Sequence, residues 1–167
     1  SSPRRQRQMC IRDSLYPWKQ ETIIQHTQRL LLSYKYWTGQ SLLDIDGTPQ
    51  LMAQALWEAQ FVVVSHGMEE NPILNYGNQQ GLDLWEMSWE QFIHTPSSET
   101  AQPSQQEGRQ LLLTQVNTKG YISGYQGVRI SSQGRQFRIS NATIWNILDE
   151  NQQQCGQAAT FKQWEYI

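Results

Sequence analysis

The sequence predicts an α+β domain, in which a five-stranded antiparallel sheet has helices inserted after its second strand and carries an N-terminal helical cap. Three observations predict this fold. Two short β-rich runs near the first third of the chain form a hairpin, residues with helical spacing follow it, and three longer alternating runs close the chain. Because such a sheet must bury one face, we expect the inserted helices to cover it.

Two helices come first, and we interpret residues 15–60 as a cap. Apolar residues recur at three- and four-residue steps between Pro17 and Gly39, which predicts an amphipathic helix. The pair Thr48-Pro49 provides an N-cap and a first-turn proline for a second, shorter helix. The domain proper is then predicted to occupy residues 61–167.

The domain is expected to begin with a hairpin. The run 61–65 (FVVVS) is β-branched, and 73–76 (ILNY) is short enough to return beside it. Asn78 is placed to cap a helix over 79–86. Ser88 begins a further short helix through a capping box.

The second half of the chain alternates a linker, a helix and strands. Residues 95–106 are rich in Pro, Ser, Thr and Gln, which predicts a mobile linker. Helical spacing returns over 107–116. The three closing strands are predicted at 122–131, 135–148 and 153–161.

Charge excludes one class of function. The net charge is −2, but residues 1–14 carry +3 and the remainder −5, so the body lacks the basic stripe that nucleic-acid binding requires. The leader PRRQRQMCIRDS resembles translated sequencing-adapter read-through, and we interpret residues 1–14 as non-native. No apolar run is long enough for a membrane span. We therefore expect a cytoplasmic protein that binds neither membrane nor nucleic acid.

Several segments of the sequence resemble those of a known family. PILNYGNQQGLDLW resembles the second strand and following helix of PAS domains, and GVRISSQGRQFRISNATIWN with GQAATF resembles their closing strands. Together with VVVSHGMEE they are similar to the MEKHLA-domain family, which comprises small bacterial proteins and the C-termini of plant class III homeodomain leucine-zipper regulators. The resemblance implies a PAS-like sensory or regulatory module. The DNA-binding regions of the plant proteins have no counterpart here, so DNA binding is not expected.

Five residues carry chemistry that a site could use. His66 ends a strand and could serve as a ligand or base, while His94 precedes the linker and would be the haem ligand of a haem-based sensor. Cys155 is interpreted as a small core residue. Asp149 and Glu150 are adjacent on a tight turn, which favours a solvated turn over a carboxylate pair. The ordinary structural roles are favoured at all five positions.

The aromatic and aliphatic residues of the sheet and helices predict a ligand pocket, with a filled core as the alternative. Alternation places the strand residues on the faces of the sheet, subject to a bulge near Asn141. The predicted pocket residues are Trp85, Phe92, Leu112, Val128, Ile130, Phe137, Ile139, Trp145 and Asn146.

These observations favour a non-catalytic module that binds a small apolar or aromatic ligand, or a protein partner. The alternatives are a small-molecule enzyme that uses the same pocket and a haem-based sensor. No cofactor is expected: residues 88–106 contain no cysteine for flavin adduct chemistry, and no second ligand supports haem. Because Ile23 and Ile24 are adjacent and cannot both face one surface, we expect a homodimer through the N-terminal helix.

Overall fold

The computed structural model describes residues 16–101, 111–112 and 114–167. The basic leader, residues 1–14, and the second part of the predicted linker, residues 102–106, lie outside the described residues. Among the described helices, none combines the length and the apolar character that crossing a bilayer requires.

Most helices begin where the sequence predicts them. They are α1 (Glu21–Thr38), α2 (Pro49–Trp57), α3 (Gln79–Trp85) and α4 (Trp89–Phe92), followed by a helical segment at residues 111–112 and 114–119 that we call α5. Short 3-10 helices occupy Pro17–Lys19 and Ser97–Thr100. α1 ends at Gly39, whose φ of 74° gives the left-handed conformation that glycine favours.

The strands form one antiparallel sheet, which confirms the predicted fold class. They are β1 (Val62–His66), β2 (Leu74–Gly77), β3 (Tyr121–Ile130), β4 (Gln136–Leu148), β5 (Gln154–Phe161) and β6 (Gln163–Tyr166). Five of them follow the order β2-β1-β5-β4-β3, and β6 pairs with the first part of β4. The strand β6 was not predicted, because a four-residue run directly after β5 has no turn signal of its own.

A bulge near the middle of β4 changes which residues face each side of the sheet. Asn141 has a φ of 53°, and the pairing with β3 shifts register between Tyr125 and Gly127. Asparagine is one of the few residues that adopt this conformation at low cost. The bulge therefore confirms the expectation near Asn141, and it reverses the simple alternation on either side.

The sheet lies between α1 and the other helices. Trp145 of β4 meets Tyr34 of α1 with ring centroids 5.1 Å apart. The neighbouring Ile144 instead packs against Leu112 and Val116 of α5. Because consecutive strand residues point to opposite faces, α1 covers one face and α5 the other. The N-terminal helix is thus a layer of the fold.

The predicted linker is packed against the rest of the chain where it is described. Residues Thr95, Ser97 and Thr100 are buried, and Ile73 forms a β-bridge with Pro96. The Ser97 amide donates to the Pro72 carbonyl at 2.8 Å. Residues 95–101 are therefore packed against the chain around residues 72–73, and their small polar side chains form local hydrogen bonds; the mobility of the linker stays a prediction.

Candidate functional site

A cavity of about 70 Å³ lies between the sheet and the helical layer formed by α3, α4 and α5. Residues from all five strands of the main sheet path reach it. Its wall consists of Val64, Ser65, His66, Leu74, Trp85, Phe92, Ser97, Thr100, Leu112, Arg129, Ile139, Ile144, Gln157, Ala158, Ala159 and Phe161. The wall is thus largely apolar, with a few polar groups, as is usual for small-molecule sites.

The helical side of the cavity is built around Trp85, which is 3% exposed. Its ring meets those of Phe92, Phe137 and Phe161 edge to face, with centroids 6.4, 5.2 and 6.2 Å away. These edge-to-face contacts fix the indole against the sheet. Its Nε1–H is buried and has no hydrogen-bond partner among the described residues.

Five of the nine predicted pocket residues lie on the cavity wall or directly behind it. Trp85, Phe92, Leu112 and Ile139 lie on the wall of the cavity. Phe137 is fully buried behind Trp85. Whether any of them contacts a ligand stays a prediction.

Asn146 is buried beside the cavity, where it joins the sheet to α5. Its Nδ2 donates to the Val116 carbonyl at 3.1 Å, and its Oδ1 accepts from Gln154 and Gln157, each at 3.1 Å. With every polar atom of its side chain engaged, Asn146 holds α5 against β4 and β5.

Three predicted residues lie elsewhere. Trp145 faces α1, on the side of the sheet opposite the cavity, because the bulge at Asn141 changes the alternation of β4. Val128 and Ile130 are half-buried and do not line the cavity. Arg129, between them, lines it instead. The hydrophobic pattern of β3 favours Val128 and Ile130 as the inward pair, and the fold turns the charged residue inward.

Arg129 is the site residue that sequence reasoning missed. It is only 8% exposed, which is rare for a charged side chain. Its Nη1 donates to the Val128 carbonyl at 2.9 Å and its Nη2 to the Tyr125 hydroxyl at 3.2 Å. The sequence signal is weak: Gly127 between Tyr125 and Arg129 removes a side chain that would separate them.

The other candidate residues have local roles. His66 lines the cavity, and its Nδ1 donates to the Gly67 carbonyl at 2.9 Å. His94 is exposed, and its Nδ1 donates to the Glu90 carbonyl at 2.7 Å. Cys155 is half-buried in β5, and burial raises the pKa of its thiol. Within the part of the chain that the structure describes, no group of His, Cys, Asp and Glu is arranged to hold a metal ion.

The acidic turn between β4 and β5, which contains Asp149 and Glu150, is joined to α1 by an ion pair. Arg29 Nη2 lies 2.7 Å from Glu150 Oε2, and this hydrogen bond lowers the pKa of Glu150. Asp149 Oδ1 accepts from the amides of Asn151 and Gln153. The two carboxylates therefore act separately, one on a helix and one within its own turn.

A part-buried imidazole–hydroxyl pair lies on the α1 side of the sheet. His26 Nε2 is 2.9 Å from Ser65 Oγ, which donates to Asn75 Oδ1 at 2.5 Å. Because the serine proton points to Asn75, His26 donates to Ser65 and does not act as its base. Burial lowers the pKa of His26 to about 4, with a smaller contribution from Arg29. This arrangement holds α1 to the hairpin.

Solved structures with the same architecture are PAS domains and their relatives. The PAS domain of a protein from Colwellia psychrerythraea matches with a TM-score of 0.59 and 20% identity, over 71% of this chain and 95% of that one. A Light-Oxygen-Voltage domain described with a flavin analogue matches with a TM-score of 0.55 and 13% identity, over 70% and 84% of the two chains. The fold is therefore PAS-like.

The MEKHLA domain profile matches residues 24–166. The chain belongs to the MEKHLA-domain family. Homeobox-leucine zipper protein ATHB-9 of Arabidopsis thaliana is 27% identical over 144 residues, which cover 81% of this chain and 17% of that protein. The chain thus spans about a sixth of the length of this relative.

The cavity is too small for a flavin or a haem group. Pockets that enclose larger ligands have volumes of about 300–1,000 Å³, whereas this one has about 70 Å³. The indole of Trp85 and the ring of Phe92 occupy the space beside it. A flavin or haem group therefore does not fit in this cavity as the described residues enclose it.

Proposed function

We propose that the chain is a non-catalytic sensory or regulatory module, in which a small ligand in the cavity changes the association of the domain with a partner. The observation that supports this proposal is the cavity itself, at the junction of the sheet and the inserted helices. A ligand there touches α3, α4, α5 and all five strands of the main sheet path. Its binding energy can therefore bias the position of the helical layer.

The wall of the cavity supports a non-catalytic role. Its titratable side chains among the described residues are His66 and Arg129. An arginine keeps its proton at neutral pH, so His66 would have to act without a second acid or base. Acid–base and nucleophilic chemistry need at least two converging groups. An enzyme that uses this cavity is therefore the weaker alternative.

Native mass spectrometry of the full chain purified from cells tests the ligand directly. We expect a retained small molecule, and we expect millimolar benzene or butyrate to raise the melting temperature of ligand-free protein. Ala159 lines the cavity, so Ala159→Leu should fill it and abolish both effects. Ala55→Leu, at a half-buried position of α2 away from the cavity, is the matched control.

Two outcomes contradict the proposal. One is that Ala159→Leu retains the ligand or the thermal shift of the parent chain. The other is that neither a retained molecule nor any thermal shift is found with the parent chain. Turnover of a bound small molecule, followed by mass spectrometry, would favour the enzyme instead.

A further inference from the structure

The buried guanidinium of Arg129 has no carboxylate partner among the residues that the structure describes. It forms no ion pair within the described part of the chain, where the ion pairs are Arg29–Glu150 and Arg138–Glu165. Glu86 comes close to the end of β3, but its Oε2 accepts from Ser131 Oγ at 2.6 Å. A charge removed from water without an opposite charge is unfavourable. Among the described residues, no opposite charge therefore compensates the guanidinium on the cavity wall.

The position of the Arg129 guanidinium depends on two other residues of β3, Tyr125 and Gly127. Tyr125, Gly127 and Arg129 alternate along the strand and so share a face. A Cβ atom at Gly127 would lie 2.5 Å from the Tyr125 hydroxyl and 3.0 Å from Arg129 Nη1. Only a glycine at this position lets the phenol reach the guanidinium. The contact orients the charged group without neutralising it.

Arg129 retains donors for a further partner. A guanidinium has five N–H groups, and its two hydrogen bonds are those to the Val128 carbonyl and the Tyr125 hydroxyl. A buried guanidinium that lines a cavity and has donors left over indicates an occupant that accepts hydrogen bonds.

We propose that the occupant is a small organic anion, a short-chain monocarboxylate. Its carboxylate binds Arg129, and its alkyl group contacts Leu74, Phe92, Ile139 and Ile144, which line the same cavity. A cavity of about 70 Å³ is several times the roughly 10–15 Å³ of such space that one water molecule requires, and an enclosure of this size limits the chain to a few carbon atoms. This inference rests on the proposed function, since it names the ligand of that cavity.

Butyrate and butyramide, which have the same shape but differ in charge, test the proposal on the full chain. We expect calorimetry and thermal shift to show butyrate binding at least about tenfold tighter than butyramide, because a charged hydrogen bond contributes more than a neutral one. The variant Arg129→Met should remove this preference. Arg138→Met removes the exposed guanidinium of β4 that pairs with Glu165, and it should retain the preference.

A second variant protects the test against loss of folding. Tyr125→Phe removes the hydroxyl that orients Arg129 and keeps the charge, so butyrate should bind more weakly than to the parent chain and still better than butyramide. Inorganic phosphate is the third probe, and we expect it to bind more weakly than butyrate because it has no apolar part.

The outcomes separate the two proposals. If butyramide binds as tightly as butyrate, the cavity takes a ligand but the inferred charge is wrong. If Arg129→Met retains the preference for butyrate, Arg129 is not the anchor, and this inference is overturned. If phosphate binds as well as butyrate, the site recognises anions without an alkyl group. If butyrate, butyramide and benzene all fail to bind, the proposed function fails with the inference.

Discussion

Asn78 is the residue on which most of the local structure converges. It is fully buried, and its Oδ1 accepts from the amides of Gly81 and Val63, each at 3.1 Å. Its Nδ2 donates to the carbonyls of Leu56 and Phe61, at 3.1 and 2.8 Å. One side chain thus caps α3 and ties it to β1 and to the end of α2.

We therefore expect Asn78→Ala to lower the free energy of unfolding by about 3–5 kcal/mol. The loss combines an N-cap with buried backbone groups that no longer have partners. Ser88→Ala is the matched control, because Ser88 caps α4 through one bond to the Gln91 amide at an exposed position, and it should cost about 1 kcal/mol. Equal losses in urea titration would show that Asn78 acts as an ordinary cap.

The sequence predicts one of the four hydrogen bonds of Asn78. The cap of α3 is local, because it joins residues three apart, and the prediction of a cap is confirmed. The bonds to Leu56, Phe61 and Val63 join residues 22, 17 and 15 positions away. Their formation depends on how α2 and β1 meet, which no local pattern encodes. Arg129 was missed for the same reason.

His26 should make the stability of the protein depend on pH. Burial lowers its pKa from 6.5 to about 4, so the unfolded chain takes up a proton as the pH falls through 6.5 and the folded chain resists it. Stability is therefore lost between pH 6.5 and about 4, by roughly 2–3 kcal/mol. His26→Gln should flatten this part of the profile in urea titrations at each pH.

The exposed His94 supplies the control for that experiment. His94→Gln makes the same substitution away from the contact between His26 and Ser65, so the loss of stability between pH 6.5 and about 4 should remain. If the free energy of unfolding of His26→Gln still fell steeply between pH 6.5 and about 4, another group would be responsible for the proton uptake. Protonation of Glu150 also lowers the stability of the folded chain, but at a lower pH than protonation of His26. The pKa of Glu150 is lowered in the folded state, so its carboxylate takes up a proton there only in stronger acid.

At the scale of elements, α1 is fixed to the sheet through polar contacts to the backbone of β4. Ser33 Oγ accepts from the Leu148 amide at 2.7 Å, and Trp37 Nε1 donates to the Asn146 carbonyl at 2.9 Å. The indole of Trp37 also lies over Gly120, where α5 turns into β3. Gly120 therefore brings α1, α5 and β3 together.

We expect Gly120→Ala to cost about 3 kcal/mol or more in unfolding free energy. Gly120 has a φ of 93°, and a Cβ atom there would overlap the Trp37 ring, so strain and overpacking add. Gly134→Ala is the control, because Gly134 also has a positive φ, of 82°, but a Cβ atom added there would have no neighbouring atom within 4 Å. It should cost only about 1 kcal/mol. Similar losses in the two variants would show that the Trp37 contact has no effect.

The existence and order of the helices and strands could be predicted, whereas their faces could not. The spacing of α1 gives an amphipathic helix whichever face of the sheet it covers. In β4, alternation predicts correct neighbours only up to the bulge at Asn141, beyond which Trp145 faces α1 and Ile144 faces α5. In β3, the alternation of apolar and polar residues predicts that Val128 and Ile130 face the cavity, whereas Arg129 lines it. Long-range packing decided each of these positions.

At the scale of the whole molecule, self-association of the chain through α1 remains a proposal. The sequence predicts a homodimer because the adjacent Ile23 and Ile24 cannot both face one surface, but both are buried within one chain, at 8% and 7% exposure. These two residues therefore leave no apolar surface for a second copy. What remains on the outer side of α1 is a pair of large side chains one helical turn apart, Leu32 and Tyr36, which are 66% and 63% exposed.

We propose that Leu32 and Tyr36 mediate a homodimer, in which the same stripe of α1 from two copies meets around a two-fold axis. They also line a groove with Leu148 and the turn at Asp149, so an opposing side chain has a place to pack. Because the apolar surface is small, we expect weak association, with dimers at tens of micromolar that dissociate on dilution.

Sedimentation across a hundredfold dilution range decides this proposal. The double variant Leu32→Glu with Tyr36→Glu should be a monomer at every concentration, because charges would meet like charges across the two-fold axis. Leu51→Glu replaces a side chain that is 56% exposed on α2, and this control should dimerise like the parent chain. A single species near 19.5 kDa for the parent chain over the whole range would leave α1 as a layer of the monomer alone.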